Sequence, residues 1–450
     1  MASYIINGVS QNLFNLYTGD TLQAVSGGIA NGVNVSAGGI AYVSAGGTAT
    51  NVEVFQGGQL SLGPGGGQLD QTYISSGGKF YMNGGNASRT HLLSSGSMFL
   101  NDGSALSATV TGSRSYLEVN GGILTSGIVG GAQNAESNWR PLIKINGGFV
   151  RDAEVRSGGT VWMTEGAASS AYIREGGLWS MGGGRMSSAT LFQGGSVIIA
   201  NAKVDSVYIS GNMNISSGGT VTVVNGGSLT NVQANYGGTV RVNNGGYASK
   251  VAVSFGGILE VNGGTVEKIY AQGYNGGTVN VKDGGIVSNL LFSNTFHGHN
   301  DAVLNVSTGG SAHSGNIIEQ VNVSYGGKVT DFNIYSSGVL TLYGGTVTST
   351  NVLISGSLIV SGGTALDTVV CPFVTDITTL EDYGTPAYMS VLADGSASNT
   401  VVSQGGNLIV SGRATDTTVS SGGYAAVNGG IASNLNVDYN GEASVSANSS

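Results

Sequence analysis

Apolar residues recur along this chain at fixed distances from paired glycines, most regularly between residues 218 and 271. Outer pairs stand at Gly218-Gly219, Gly237-Gly238 and Gly256-Gly257, 19 residues apart, with inner pairs at Gly226-Gly227, Gly245-Gly246 and Gly263-Gly264. Counting from the second glycine of an inner pair, aliphatics fall at +2, +5 and +7: Leu229, Val232 and Ala234, then Ala248, Val251 and Val253, then Val266, Ile269 and Ala271. After an outer pair they fall at +2 and +4, as in Val221 and Val223 or Val240 and Val242. Spacing by two marks a strand with one buried face, and no helical period fits. The step from +2 to +5 breaks the alternation once, so a corner is expected there. Each unit is predicted to hold two to three short strands.

Strands this short cannot bury their inner faces alone. Stacking each unit on the one before pairs every strand in parallel with its neighbours and closes a continuous core. The predicted fold is all-β, a single-chain parallel β-solenoid (β-helix) of about 19-residue coils with about five inward aliphatics per coil. The paired glycines are expected at the turns, each pair supplying two successive positive φ angles. Asparagine recurs at +4, next to the inward +5 residue, at Asn51, Asn231, Asn289, Asn399 and Asn434. Stacked amides there can hydrogen-bond along the axis and satisfy backbone groups of the corner.

The pattern sets the expected organisation. Residues 1–18 lack the glycine register but carry Ile5, Ile6, Phe14 and Leu16, and read as an amino-terminal cap. Residues 19–450 read as solenoid, with insertions at 131–141, 293–301 and 371–388 and an irregular piece from Ser311 to Gln320. All four prolines, Pro64, Pro141, Pro372 and Pro386, fall in turns or insertions, as a residue without an N–H should.

Composition narrows the partners. Glycine supplies 79 of 450 residues without an every-third period, which excludes collagen, and 40% apolar residues is enough to build a core. Only 9% of residues are charged and the net charge is −9, which argues against nucleic acid or an anionic membrane as partner. Cys371 stands alone, so no internal disulfide forms. No apolar run reaches the ~18 residues of a membrane helix, and the opening MASYIINGVSQNLFNLYTG lacks the segments of a signal peptide. Membrane insertion by this chain is not expected.

The unit of paired-glycine turns, inward Val or Leu, and Ser, Thr or Asn elsewhere resembles the 19-residue repeats of AIDA-type autotransporter passenger domains, including the antigen-43-like self-associating adhesins. The resemblance covers about Thr18 to Val445 apart from the insertions, and the residues that carry it are structural. It implies an extracellular or cell-surface rod acting in adhesion, cell aggregation or biofilm formation, with itself or the adhesins of neighbouring cells as partner. The family's membrane barrel finds no counterpart after Ser390, where no series of ten-residue strands with aromatic girdles follows.

Signs of chemistry are sparse. A solenoid glycosidase needs two carboxylates at a set separation. Glu260 instead stands across from Arg241 one coil earlier and reads as half of a surface ion pair, and Asp376, Glu381 and Asp382 read as a solvated loop. His297, His299 and Asp301 offer two imidazoles and a carboxylate but no further fixed ligand, so neither metal nor cofactor is expected. Catalytic residues are not expected, and the chain reads as a non-enzymatic adhesin or scaffold. Glycan binding or processing, and a structural fibre, are the alternatives. Exposed aromatics in the insertions, Trp139, Phe296 and Tyr383, are the candidate binding residues.

Overall fold

The computed structural model describes residues 1–131, 140–192, 194–200, 203–204, 207–209, 219–272, 276–293, 302–335, 338–371 and 386–446. The chain forms two compact units, one built mainly from residues 1–212 and the other mainly from residues 230–450. Each is a parallel β-solenoid, and the described residues contain no helix.

In the first unit Ser3–Asn7 pairs in parallel with Thr21–Val25, which pairs with Ile40–Val43, while Ser10–Leu16 pairs with Ile29–Val35 and that with Thr48–Val54. In the second unit Thr239–Asn243, Ile258–Asn262 and Thr278–Lys282 stack the same way, beside Tyr247–Val253, Thr265–Gln272 and Ile286–Ser293. The inward positions read from the sequence are the core. Leu229, Val232, Ala234, Ala248, Val251, Val253, Val266, Ile269 and Ala271 are all buried, as are Val240, Val242, Leu259 and Val261.

The expected corner between +2 and +5 is one left-handed residue per coil, at +4. Its φ is 52° at Asn51, 54° at Asn231, 56° at Asn289, 53° at Asn399 and 57° at Asn434. Asparagine tolerates this region better than most residues. The same place holds Gln71, Arg89, Asp152, Lys250, Lys268, Asp331 and Asp367 in other coils, so the left-handed corner does not depend on asparagine, which is only its most comfortable occupant; Ser188 stands at this position without it.

The glycine pairs work differently from the expectation of two successive positive φ angles within each pair. In most pairs only one glycine is left-handed, usually the first, and in turns such as that at Phe255 (φ 49°) and Gly256 (φ 75°) its partner in that conformation is the residue before it; at Gly84-Gly85 and Gly130-Gly131 both glycines have positive φ. The second glycine is needed for clearance. A Cβ on Gly246 would lie 2.5 Å from the carbonyl oxygen of Val223 in the coil below, inside any tolerable contact.

Residues 1–18, expected as a cap, make a coil of the same design, with a left-handed corner at Leu13. Gly8 and Val9 stand where Gly27 and Gly28 stand one coil later. A Cβ on Gly28 would strike the Ile6 carbonyl, while the equivalent position of the first coil carries Val9.

Of the expected insertions, residues 132–139, 294–301 and 372–385 lie outside the described residues. Ser293 closes the strand Ile286–Ser293, and Ala387 and Tyr388 open Ala387–Val402, so both ends belong to coils. Ser311–Ile317, expected to be irregular, is a regular strand paired on both sides.

The core departs from the all-aliphatic expectation at buried aromatics such as Phe80, Trp179 and Phe332, and at a column of threonines. In four consecutive coils the inward corner residue is threonine, at Thr350, Thr368, Thr400 and Thr417, each paired in register with the next and none more than 1% exposed. Thr350 makes a long hydrogen bond to the Thr348 carbonyl (3.5 Å), while the other three hydroxyls have no partner among the described residues. Thr72 and Thr90 form a shorter version in the first unit.

Candidate functional site

With the inward positions spent on packing, any activity falls to the outer faces. Parallel in-register stacking sets equivalent outward side chains about 4.8 Å apart, and the chain uses this spacing to build ladders. Asn101 Nδ2 donates to Asn83 Oδ1 (2.8 Å), Asn120 to Asn101 (2.9 Å) and Asn146 to Asn120 (3.0 Å), and Thr164 Oγ1 extends the row to Asn146 (3.0 Å). A second row links Asn351, Asn333 and Asn316, and a third Asn322, Asn305 and Asn280. Corner asparagines reach one coil back as well: Asn51 to Asn31 (2.8 Å), Asn399 to Asp367 (2.6 Å) and Asn434 to Asp416 (2.8 Å).

Aromatic rings stack along the same direction. Tyr81 and Phe99 lie 5.1 Å apart and nearly parallel, and Tyr116 meets Phe99 edge-on at 6.1 Å. Burial, reinforced by nearby Glu118, pushes the Tyr116 hydroxyl up to about 12. Tyr236 and Phe255 stack at 5.2 Å, and Tyr73 stacks on His91 at 4.9 Å. Burial, with Arg89 nearby, lowers the His91 pKa. Among the described residues the outer face presents one tryptophan, Trp162, at 48% exposed, whereas Trp179 is wholly buried.

Ion pairs cross from coil to coil. Arg89 binds Asp70 through two nitrogens, and this pairing, with a bond from Ser88, holds the Asp70 carboxyl down to about 2. Arg241 Nε lies 2.5 Å from Glu260 Oε2, the pair read from the sequence. Glu154 accepts from Arg156 (2.9 Å) and from Arg174, and its pKa is lowered chiefly by Arg156. Arg174 also lies over the Phe192 ring at 4.8 Å, and Arg151 over Phe149 at 5.5 Å.

Trp139, Phe296 and Tyr383 lie outside the described residues, as do His297, His299 and Asp301. The same holds for Gly218, while Gly219, Gly226, Gly227, Gly237, Gly238, Gly245 and Gly246 lie at or beside turns. Among the described residues no three of His, Cys, Asp and Glu converge as a metal site would require. The stacked outer faces, which single-coil reading of the sequence missed, become visible once equivalent positions of successive coils are aligned.

No family model matches the sequence, and neither does any curated protein. Among solved structures the chain is similar to the crystal structure of the TibC-catalyzed hyper-glycosylated TibA55-350 fragment, at 19% identity over the full length of both chains and with a TM-score of 0.23.

Proposed function

We propose that the chain is a non-enzymatic β-solenoid adhesin or scaffold of the cell surface or extracellular space, and that copies of it associate through complementary charge. The observation that supports this reading is how its charges are segregated. Residues 301–450 contain two cations, Lys328 and Arg413, and eleven carboxylates, so 2 − 11 = −9, the whole net charge of the chain. Residues 1–300 contain 14 of each sign and sum to zero. Between Arg140 and Lys203 seven cations meet four anions, a local excess of three.

Among the described residues none of these charges is buried. Arg151 and Arg185 are exposed, two coils apart on one outer strand face, and Arg156 and Arg174 share the single carboxylate of Glu154. In the second unit Asp331, Asp367 and Asp416 line one corner column with Ser349 and Asn399 between them, and none has an ion pair among the described residues. An acidic edge without internal counter-ions and a basic face with surplus arginine are complementary surfaces for two copies. The amide ladders beside them supply hydrogen-bonding groups at a matching repeat along both partners.

Sedimentation velocity tests the reading. Association is expected at low ionic strength and should fall as salt screens charges beyond a Debye length of about 8 Å at 0.15 M. The triple variant D331N/D367N/D416N is expected to associate less while melting like the parent. A chain that stays monomeric at low salt, or associates equally with and without the three carboxylates, overturns the proposal.

A further inference from the structure

Between residues 220 and 283 one coil is a residue shorter than those on either side of it, and the shortfall leaves a notch. From the outer to the inner glycine pair the chain reads TVTVVN (220–225), TVRVNN (239–244), ILEVN (258–262) and TVNVKD (278–283), so a five-residue arm lies among arms of six. The strands stay in register through Asn243, Asn262 and Lys282, which places the deficit in the turn. Asn244 and Asp283 therefore project on either side of a coil with no equivalent residue, and Asn244 Oδ1 turns inward over Gly263, into the space a Cβ would take. The resulting concavity, about 440 Å³, is lined by Val224, Asn225, Asn243, Asn244, Asn262 and Asp283.

Four of the six lining residues are primary amides, and their hydrogen bonding is incomplete. Asn262 Nδ2 donates to Asn243 Oδ1 (3.3 Å), but Asn262 Oδ1 is buried without a donor among the described residues. The one carboxylate, Asp283, is offset by Lys282, whose Nζ lies 3.7 Å away. A site with this balance has too little negative charge to hold a divalent cation and too little positive charge for a phosphate. Val224 alone offers an apolar surface, which is too little for a hydrophobic ligand.

The ligand chemistry that remains is a neutral polyol. Each amide presents a donor and an acceptor side by side, the arrangement that pairs with vicinal hydroxyls, which themselves donate and accept. We propose that this notch is a subsite for one neutral sugar residue of a glycan. The subsite is independent of the charge-driven association above, since none of its residues belongs to the acidic edge or the basic face.

Affinity electrophoresis of the intact chain in native gels cast with dextran, mannan or galactomannan tests it. Retardation by at least one of these neutral polysaccharides is expected relative to a blank gel. Inserting one asparagine between Asn262 and Gly263 restores the six-residue arm of the flanking coils and fills the notch without removing any side chain. That variant should keep the parental melting temperature and self-association and lose roughly tenfold in polysaccharide affinity, with a smaller loss for Asn244→Ala. No retardation by any of the three polysaccharides overturns the proposal, as does equal retardation of parent and insertion variant.

Discussion

The corner at +4 and +5 is built in two ways within the second unit. Between Asn231 and Leu290 its inward residues are Val232, Val251, Ile269 and Leu290, and its left-handed residues are Asn231, Lys250, Lys268 and Asn289. Between Ser349 and Thr417 the inward residues are four threonines, and the left-handed ones are Ser349, Asp367, Asn399 and Asp416. The two stretches keep the same register and the same burial. The corner is therefore set by backbone conformation, and Val and Thr, which have nearly the same shape, can replace one another at its inward position. Polarity at either side of the corner is free to vary, and the second stretch uses that freedom to become acidic outside.

If the backbone rule is common to both stretches, breaking it should cost the same in each. Gly246→Val drives a side chain onto the Val223 carbonyl, and Gly395→Val, at the equivalent turn of the second stretch, does the same at Val360. Both are expected to lower stability by on the order of 3 kcal/mol, because the obstacle is backbone from the coil below. Hydrogen exchange in the flanking strands would report the loss. A mild effect at one site and a severe one at the other would show that the two stretches do not share a turn.

Exchanging the inward residues sharpens the comparison at a smaller scale. Val251→Thr buries a hydroxyl with no arranged partner and should destabilise by about 1–3 kcal/mol. Thr368→Val and Thr400→Val remove hydroxyls that already lack partners among the described residues, and each should stabilise by on the order of 1 kcal/mol. Denaturant midpoints measure both. Should Thr400→Val destabilise as much as Val251→Thr does, the threonine column has hydrogen-bond partners and the two corners differ in more than side-chain polarity.

These corners also show what the sequence makes legible. Val251 is recognisable as inward because alternation by two surrounds it and its apolar character agrees with its position. Thr400 sits at the same offset, but Thr is read as a surface residue unless the register overrides its polarity. Asn231 stands out as a recurrent residue, yet its reason, a left-handed backbone, emerges only when Lys250 and Asp367 are found in the same conformation. The second glycine of a pair is harder still, because its constraint comes from a carbonyl of the coil below, as that of Gly246 comes from Val223. At the level of sites, the notch follows from counting arm lengths around Gly263, but its lining residues come from four coils and converge only in space. The aromatics Trp139, Phe296 and Tyr383 were picked out as interruptions of the pattern, and they remain candidates on that ground alone.

The outer side of the corner yields the smallest effect, and it separates a carboxylate paired with a cation from one paired with an amide. Asp70 faces Arg89, whose guanidinium is the main reason its carboxyl is held down to about 2, while Asp367 accepts a hydrogen bond from uncharged Asn399. A carboxyl whose folded pKa is depressed stabilises the fold above its unfolded value near 3.8, and that contribution is lost as pH falls through the folded value. Acidification from pH 5 to pH 2 should therefore loosen the coils around Gln68–Ile74 and Lys79–Leu92, and Asp70→Asn should remove that part of the pH dependence. Both partners are more than a third exposed, so solvent screening keeps the effect on the scale of a surface ion pair. Hydrogen exchange in these strands at the two pH values is the measurement. An unchanged pH slope in Asp70→Asn would mean that the Asp70–Arg89 contact contributes no more than the uncharged rungs do, and that the ladders hold the outer corner whether or not they carry charge.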